Sequence, residues 1–575
     1  MRYSVDHVLI CGVACAIAAL VGLPGCQNAQ PPTLSDKSIG FVEETADAGL
    51  GAFRHDNGAD GKKYYAEQMG SGAGFIDYDG DGWLDILLLG GGYWDRSPHA
   101  WYKSFWMYRN MGDGTFEEVT EEVGLGRLYA FTLGMATADY DNDGDQDILV
   151  TNLNENMLLE NKGGVFENSR SGLGFDDEWS SSALWIDVNR DGWLDVYVGN
   201  YADWSPARDK FCPEGGTVKL YCVPADYEGI SSRYFESKGD GSFVDRTQES
   251  GIYHPLGKAL GMAEWDFNRD GWSDFVVAND GEGDLLFMNN QDGTFSERGV
   301  QSGIAFSEHG EARAGMGIDI GVMDETGEPS VFVGNFSTEM IGVYRYLGNG
   351  LFGDRAARSR IGQPSLNTLT FGLMVIDVDL DGDLDLFVAN GHVYPDRLVG
   401  QDKITYEQRA QLFENDGGGL FEEVPPSTTS PLETEMVARG AAYGDYDRDG
   451  DLDILIVENG GPAHLWRNGI TGRNWLRVTV TGTEGNRDAF GTHVRVYTDD
   501  RAQERRIRSG SSYLSQNEVV AAFGLMDTQS IDSVRVDWAG GGSLVLYDVP
   551  VNTEVHVTEG QQGWVKRSMP GTINK

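Results

Sequence analysis

Seven copies of one strand-and-turn pattern, at a period of roughly 50 residues, predict an all-β fold: a seven-bladed propeller followed by a small C-terminal β domain. Each copy contains a nine-residue string rich in Asp and Gly. Each is flanked by short β-branched and aromatic runs bounded by Gly and Asp, which read as strands and not helices. From Asn474 a different text begins, alternating but without acidic loops.

The repeated string is Asp-x-[Asp/Asn]-x-Asp-Gly-x-x-Asp. It opens as Asp77-Tyr-Asp79-Gly-Asp81-Gly82-Trp-Leu-Asp85 and returns at 139–147, 187–195, 266–274, 377–385 and 445–453. A degenerate copy is expected to start at Asp319, where Gly321 and Met323 replace oxygen ligands. Five residues before each first Asp stands a small residue: Gly72, Gly134, Ser182, Gly261, Ala314, Gly372 and Gly440. After the last Asp comes an apolar run such as Ile86-Leu-Leu-Leu, and five copies then carry an Asn (Asn152, Asn200, Asn279, Asn335, Asn390). A run ending near Asn follows, then a Gly-Asp-Gly-x-Phe turn, as in Asn110 and Gly112-Asp-Gly-Thr-Phe116. Each unit therefore reads strand A, acidic loop, strand B, variable segment, strand C, Gly turn, strand D.

The last unit stops after its third strand, at Leu465-Trp-Arg-Asn468. The chain opens with Phe41-Val-Glu-Glu-Thr, which matches the D-strand text Phe116-Glu-Glu-Val-Thr. The N-terminal strand is thus expected to complete the last unit and remove the open edge.

Asp at positions 1, 3 and 5, Gly at 6 and an oxygen at 9 form the first part of a calcium loop: hard oxygen ligands suit Ca²⁺, and Gly permits the sharp turn. An EF-hand would need Glu at position 12 between helices. Here position 12 is Leu88, Val150, Val198, Val277, Val388 or Ile456, all strand residues. The ninth residue is expected to close the coordination instead, with the backbone carbonyl of position 7 contributing.

At this point residues 40–470 resemble the FG-GAP/VCBS repeats of integrin α-type propellers. The resemblance implies FG-GAP-type calcium loops, about six Ca²⁺ in all, one per intact loop. The ligands it implies are Asp77, Asp79, Asp81 and Asp85; Asp139, Asp141, Asp143 and Asp147; Asp187, Asn189, Asp191 and Asp195; Asp266, Asn268, Asp270 and Asp274; Asp377, Asp379, Asp381 and Asp385; and Asp445, Asp447, Asp449 and Asp453. No ion is expected in the degenerate copy. A structural clamp is the expected role, with direct ligand contact as the alternative.

Loops A–B and C–D lie on one face of a propeller, B–C and D–A on the other. The longest insertions, near 90–106, 199–233 and 391–411, are B–C segments and should gather opposite the acidic loops. They supply Trp94, Trp101, Tyr102, Trp204 and Tyr394 as candidate ligand-binding residues. Aromatics with polar tips suit a sugar face or a protein partner. The alternative is that they pack the insertions onto the ring.

Residues 1–26 read as an export signal: Arg2, an apolar run from Val8 to Leu23, then Leu23-Pro24-Gly25-Cys26. This resembles a bacterial lipobox with Cys26 acylated, so membrane association through a lipid anchor only is expected, with simple secretion or an uncleaved anchor as alternatives. Residues 27–39 read as a linker. Cys212 and Cys222 are expected to form a disulfide in an oxidising compartment, a metal pair being the alternative. Residues 474–558 resemble the ASPIC/UnbV domain through Asn486-Arg-Asp-Ala-Phe-Gly-Thr, Gly510-Ser-Ser-Tyr-Leu-Ser-Gln-Asn517 and Val534-Arg-Val-Asp-Trp538. Arg505, Arg506 and Arg508 read as a solvated strand face or an anion site, and 559–575 as an unstructured tail.

Across 575 residues, 44 Lys and Arg stand against 90 Asp and Glu, for a net charge of −46. That balance excludes a nucleic-acid partner, which needs basic patches. The six intact loops hold 25 of the acids, so much of the charge is a metal-ligand set. Gly-x-Ser-x-Gly, His-Glu-x-x-His and phosphate-loop signatures are absent from the sequence. These observations point to an extracytoplasmic, lipid-anchored or secreted binding protein for a protein or carbohydrate ligand. The alternative is a secreted glycan-active enzyme using a carboxylate pair on the face opposite the loops.

Overall fold

The computed structural model describes residues 39–94, 102–169, 173, 178–214, 216–395, 403–499 and 501–567. Cys26 and Trp101 lie outside the described residues, as do the signal and most of the linker.

From residue 42 to residue 467 the described residues form successive antiparallel ring sheets, five of four strands and one of eight, in which the second and third repeat units join through Glu178–Asn154 and Trp179–Leu153. Their innermost strands are Ala73–Ile76, Thr132–Ala138, Glu178–Ile186, Ala259–Trp265, Ile318–Val322, Thr370–Ile376 and Ala438–Gly444. Each innermost strand touches the next, and Ala438–Gly444 returns to Ala73–Ile76, so the sheets form a ring. The strand after each acidic loop is sandwiched between neighbouring sheets. This is why Asp274–Asn279, for example, is apolar on both faces and fully buried. The outermost strand alternates, as in Phe116–Glu118, where only Phe116 is buried.

The small residue before each acidic loop has a geometric cause. Inner strands converge on the ring axis, and a Cβ at Gly261 would lie 2.2 Å from the Met316 carbonyl oxygen of the next unit. Five inner strands also carry a register shift beside this position, as between Thr132 and Gly134. Ring closure follows the sequence expectation. Val42–Glu43 pairs with Ala463–Arg467 as the fourth strand of the last sheet, and the Trp466 indole donates to Glu43 Oε2 at 2.7 Å.

The ring registers the fifth unit differently from the sequence reading. Gly321 pairs with Ser330 in the place where Ile376 pairs with Asp385 in the sixth unit. The loop therefore starts at Val322 and not at Asp319, and the small residue before it is Gly317 and not Ala314. A second contact fixes this register. Third-strand Asn side chains donate to the position-2 carbonyl of the preceding unit: Asn161 to Tyr78, Asn289 to Val188, Asn468 to Val378 and Asn415 to Met323. Met323 is thus position 2.

The C-terminal domain consists of two four-stranded sheets, with Asn474–Thr481 parallel to Thr553–Thr558. Val565–Lys566 pairs with Thr553–Thr558, so the tail reading of 559–575 is corrected for these residues. The domain shares one apolar core with the ring: Tyr140 and Trp185 pack in the same cluster as Val478, Val494 and Phe523. Its loop 509–518 enters the ring axis. There Leu514 O accepts from Met135 N (3.1 Å), Gln516 O from Phe75 N (3.1 Å) and Ser512 O from Ile318 N (3.2 Å). Ser512 Oγ donates to Ala441 O (2.7 Å), and Tyr513 stacks edge-on with Phe371.

Candidate metal centre

The acidic loops repeat one hydrogen-bond plan. Position-1 Oδ2 accepts the Gly amide at position 6, from 2.8 Å (Asp266) to 3.1 Å (Asp77, Asp187, Asp445), with Asp139 and Asp377 between. That Gly has φ between 84° and 107° in all six loops, the left-handed turn that glycine adopts without strain. Position 9 is tied twice. Asp85 accepts from Tyr78 N and from Asn110 N on the third strand; Asp147, Asp195, Asp274, Asp385 and Asp453 repeat both contacts.

These bonds leave oxygens turned inward. Asp77, Asp139, Asp187, Asp377 and Asp447 each bury one Oδ1 without a partner, and Asp451 buries both of its carboxylate oxygens. In four loops the oxygens of positions 1, 3 and 9 lie within 4.8 Å of one another: Asp77/Asp79/Asp85, Asp139/Asp141/Asp147, Asp377/Asp379/Asp385 and Asp445/Asp447/Asp453. Positions 189 and 268 offer amide oxygens in the other two. Burial drives the carboxyl of Asp85 up to about 8 and that of Asp147 up to about 9, with nearby Asp residues adding to the rise. Buried, converging, unpartnered oxygens with raised pKa fit a hard divalent cation, which would supply the missing charge. Position 7 Trp residues cover turns: Trp83 lies over Gly112 and Trp193 over Gly239.

The C-terminal domain docks on this face through arginines. Arg567 meets Asp77 (3.1 Å), Arg487 meets Asp139 (3.0 Å), Arg473 meets Asp379 (2.9 Å) and Arg477 meets Asp445 (3.3 Å). Arg506 pairs with Glu264 and Arg508 with Asp319, while Arg505 lies 3.7 Å from Asp377. Arg505, Arg506 and Arg508 are therefore neither a solvated face nor an anion site; buried ring carboxylates take them. A crevice of about 660 Å³, lined by Asp77, Asp139, Arg487, His556 and Arg567, leaves the first two loops reachable.

Comparison with known families matches the "FG-GAP-like repeat" model at residues 77–150, 139–198 and 390–456, and the "ASPIC and UnbV" model at 482–563. The chain carries FG-GAP-like repeats and a C-terminal ASPIC and UnbV domain. It is homologous to cartilage acidic protein 1. It is 25% identical to the human protein over 494 residues, covering 83% of this chain and 62% of that one. To the mouse protein it is 25% identical over 502 residues, covering 82% and 71%. The chain thus spans less than two thirds of the human relative. A solved Agrocybe aegerita protein, described as recognising non-reducing terminal N-acetylglucosamine, aligns at a TM-score of 0.36 and 17% identity over 67% of this chain and 85% of that one.

On the face of the FG-GAP-like ring opposite the acidic loops, the candidate aromatics divide. Tyr102, Trp204 and Tyr394 are buried. Tyr102 donates to Ala130 O (2.7 Å), Trp204 donates to Asp209 Oδ1 (2.8 Å), and Tyr394 packs on Phe336 and His392. They hold the insertions down, and Trp204 also lines the cavity beside Trp94. Trp94 alone of the four described candidates stays half-buried, stacked on Phe131 at 4.5 Å. With Tyr93, Glu178, Trp179 and Trp204 it lines a cavity of about 100 Å³. The neighbouring hairpin Cys212–Glu214/Val218–Leu220 is closed by the Cys212–Cys222 disulfide.

Proposed function

We propose that this is a calcium-stabilised, extracytoplasmic propeller-type interaction protein whose partner is a protein, bound on the face opposite the acidic loops. The observation that carries this reading is the occupancy of the other face: the C-terminal domain and its arginine row pack onto the acidic-loop face. The insertions and the half-buried Trp94 remain on the free side. A cavity of about 100 Å³ falls well below the roughly 300–1,000 Å³ of small-molecule sites. It suits one anchoring side chain in a protein interface and argues against a whole sugar. The disulfide and the cartilage acidic protein relatives support an extracytoplasmic location, with Cys26 as the lipidated residue. Six divalent ions would be held by the loop carboxylates, clamping each hairpin from within.

A ligand screen against immobilised full-length protein tests this. Trp94→Ala should abolish capture of the partner while shifting the melting temperature little. Unchanged capture would remove Trp94 and its cavity from the binding surface. Turnover of a glycan by the same preparation, lost on a single carboxylate substitution, would replace the binding reading with the enzymatic one.

A further inference from the structure

The fifth unit breaks the ligand pattern, and its corrected register shows what replaces it. Positions 1, 3, 5 and 9 are Val322, Asp324, Thr326 and Ser330. Arg345 stands directly across from Ser330 on the third strand. Its guanidinium forks onto both oxygens of Asp324, with one bond at 2.9 Å, and donates to Thr326 Oγ1 at 2.6 Å. The pair is largely sheltered, the Arg345 and Asp324 side chains being 23% and 12% exposed. Thr326 N donates to the same carboxylate at 3.0 Å.

The charges match. Four of the intact loops bring three carboxylates to one point, which a divalent ion answers. The fifth loop brings a single carboxylate among its four ligand positions, and one guanidinium answers it. The planar fork of Arg suits bidentate capture of a carboxylate, and its charge cannot be lost by deprotonation. We infer that Arg345 is a resident cation: in the fifth unit its guanidinium neutralises position 3 and holds positions 3 and 5 together, the task a divalent ion would perform in the other six, and it does so from the third strand. This rests on the calcium reading of those loops. It makes one unit of the ring independent of metal, since a side chain cannot be chelated away.

Bound calcium, measured by atomic emission, and the thermal midpoint of the full chain test the inference. Arg345→Ala should lower the midpoint by about 2 °C, equally with and without chelator, and leave the calcium count unchanged. Arg345→Lys should recover part of the loss. A fourfold variant, Val322→Asp, Thr326→Asp, Ser330→Asp and Arg345→Ala, should gain one calcium equivalent. The inference is overturned if Arg345→Ala melts like the native chain in both conditions, or if Asp324→Asn releases one calcium equivalent. Native protein that binds no calcium would refute the calcium reading of the six loops, while the Arg345→Ala melt still judges the tie itself.

Discussion

Arg477 is where the account of the domain junction can be broken most sharply. It stands on the first strand of the C-terminal domain with its side chain 3% exposed, facing Asp445 at 3.3 Å, Glu554 at 3.5 Å and Glu518. Asp445 is itself 1% exposed. Arg477→Ala leaves buried carboxylates uncompensated and removes an apolar stem, a loss of about 3–5 kcal/mol when one partner of a buried pair is removed. A calcium ion on Asp445 would supply part of the missing charge, so the loss should be larger in chelator than in saturating calcium. The assay is urea denaturation followed by tryptophan fluorescence in both conditions. Arg109→Ala serves as reference, because its partner Glu117 is 55% exposed, and such surface pairs are worth about 0–1 kcal/mol. If Arg477→Ala costs no more than Arg109→Ala, the arginine row does not lock the domain to the ring.

Two further predictions concern the ring itself. Leu514, 2% exposed on the ring axis, should cost about 2–5 kcal/mol when truncated to Ala, and the loss should appear in one cooperative transition because the loop contacts several units; a separate, earlier melt of the C-terminal domain would contradict this. His464 sits on the closing sheet with Nε2 at 2.9 Å from Glu458 and Nδ1 at 3.3 Å from Glu43. Burial works to lower its pKa, but the two carboxylates outweigh this and raise it to about 9. Its folded value exceeds the unfolded one, so its contribution is complete below about pH 6.5 and lost as pH rises through about 9. With Glu43 41% exposed, about 1–2 kcal/mol is at stake after allowance for solvent screening. The stability gap between native protein and His464→Gln should therefore close between pH 6.5 and 9.5; a constant gap would refute the assignment.

Local patterns were legible in the sequence, and long-range partners were not. Six acidic loops follow from spacing, the closing strand from its match to the Phe116-Glu-Glu text, and the Cys212–Cys222 pair from an oxidising compartment. Asp319 mimics a first ligand, whereas the true position 1 is Val322, as strand pairing and the Asn415–Met323 bond reveal. Asp319 is instead buried against Arg508, 189 residues away. Third-strand Asn residues such as Asn110 and Asn468 were visible, but their role, a bond to the preceding unit, needs the ring. Composition could not tell that Arg505, Arg506 and Arg508 face ring carboxylates, nor that Tyr102, Trp204 and Tyr394 are covered.

Melting of the full chain with and without chelator tests the central claim most directly. Each site loaded at 100 times its dissociation constant adds about 2.7 kcal/mol, so six sites predict a large fall in the thermal midpoint on chelation and full recovery with added calcium. A midpoint unmoved by chelator would show that the buried oxygens of the acidic loops hold no stabilising ion.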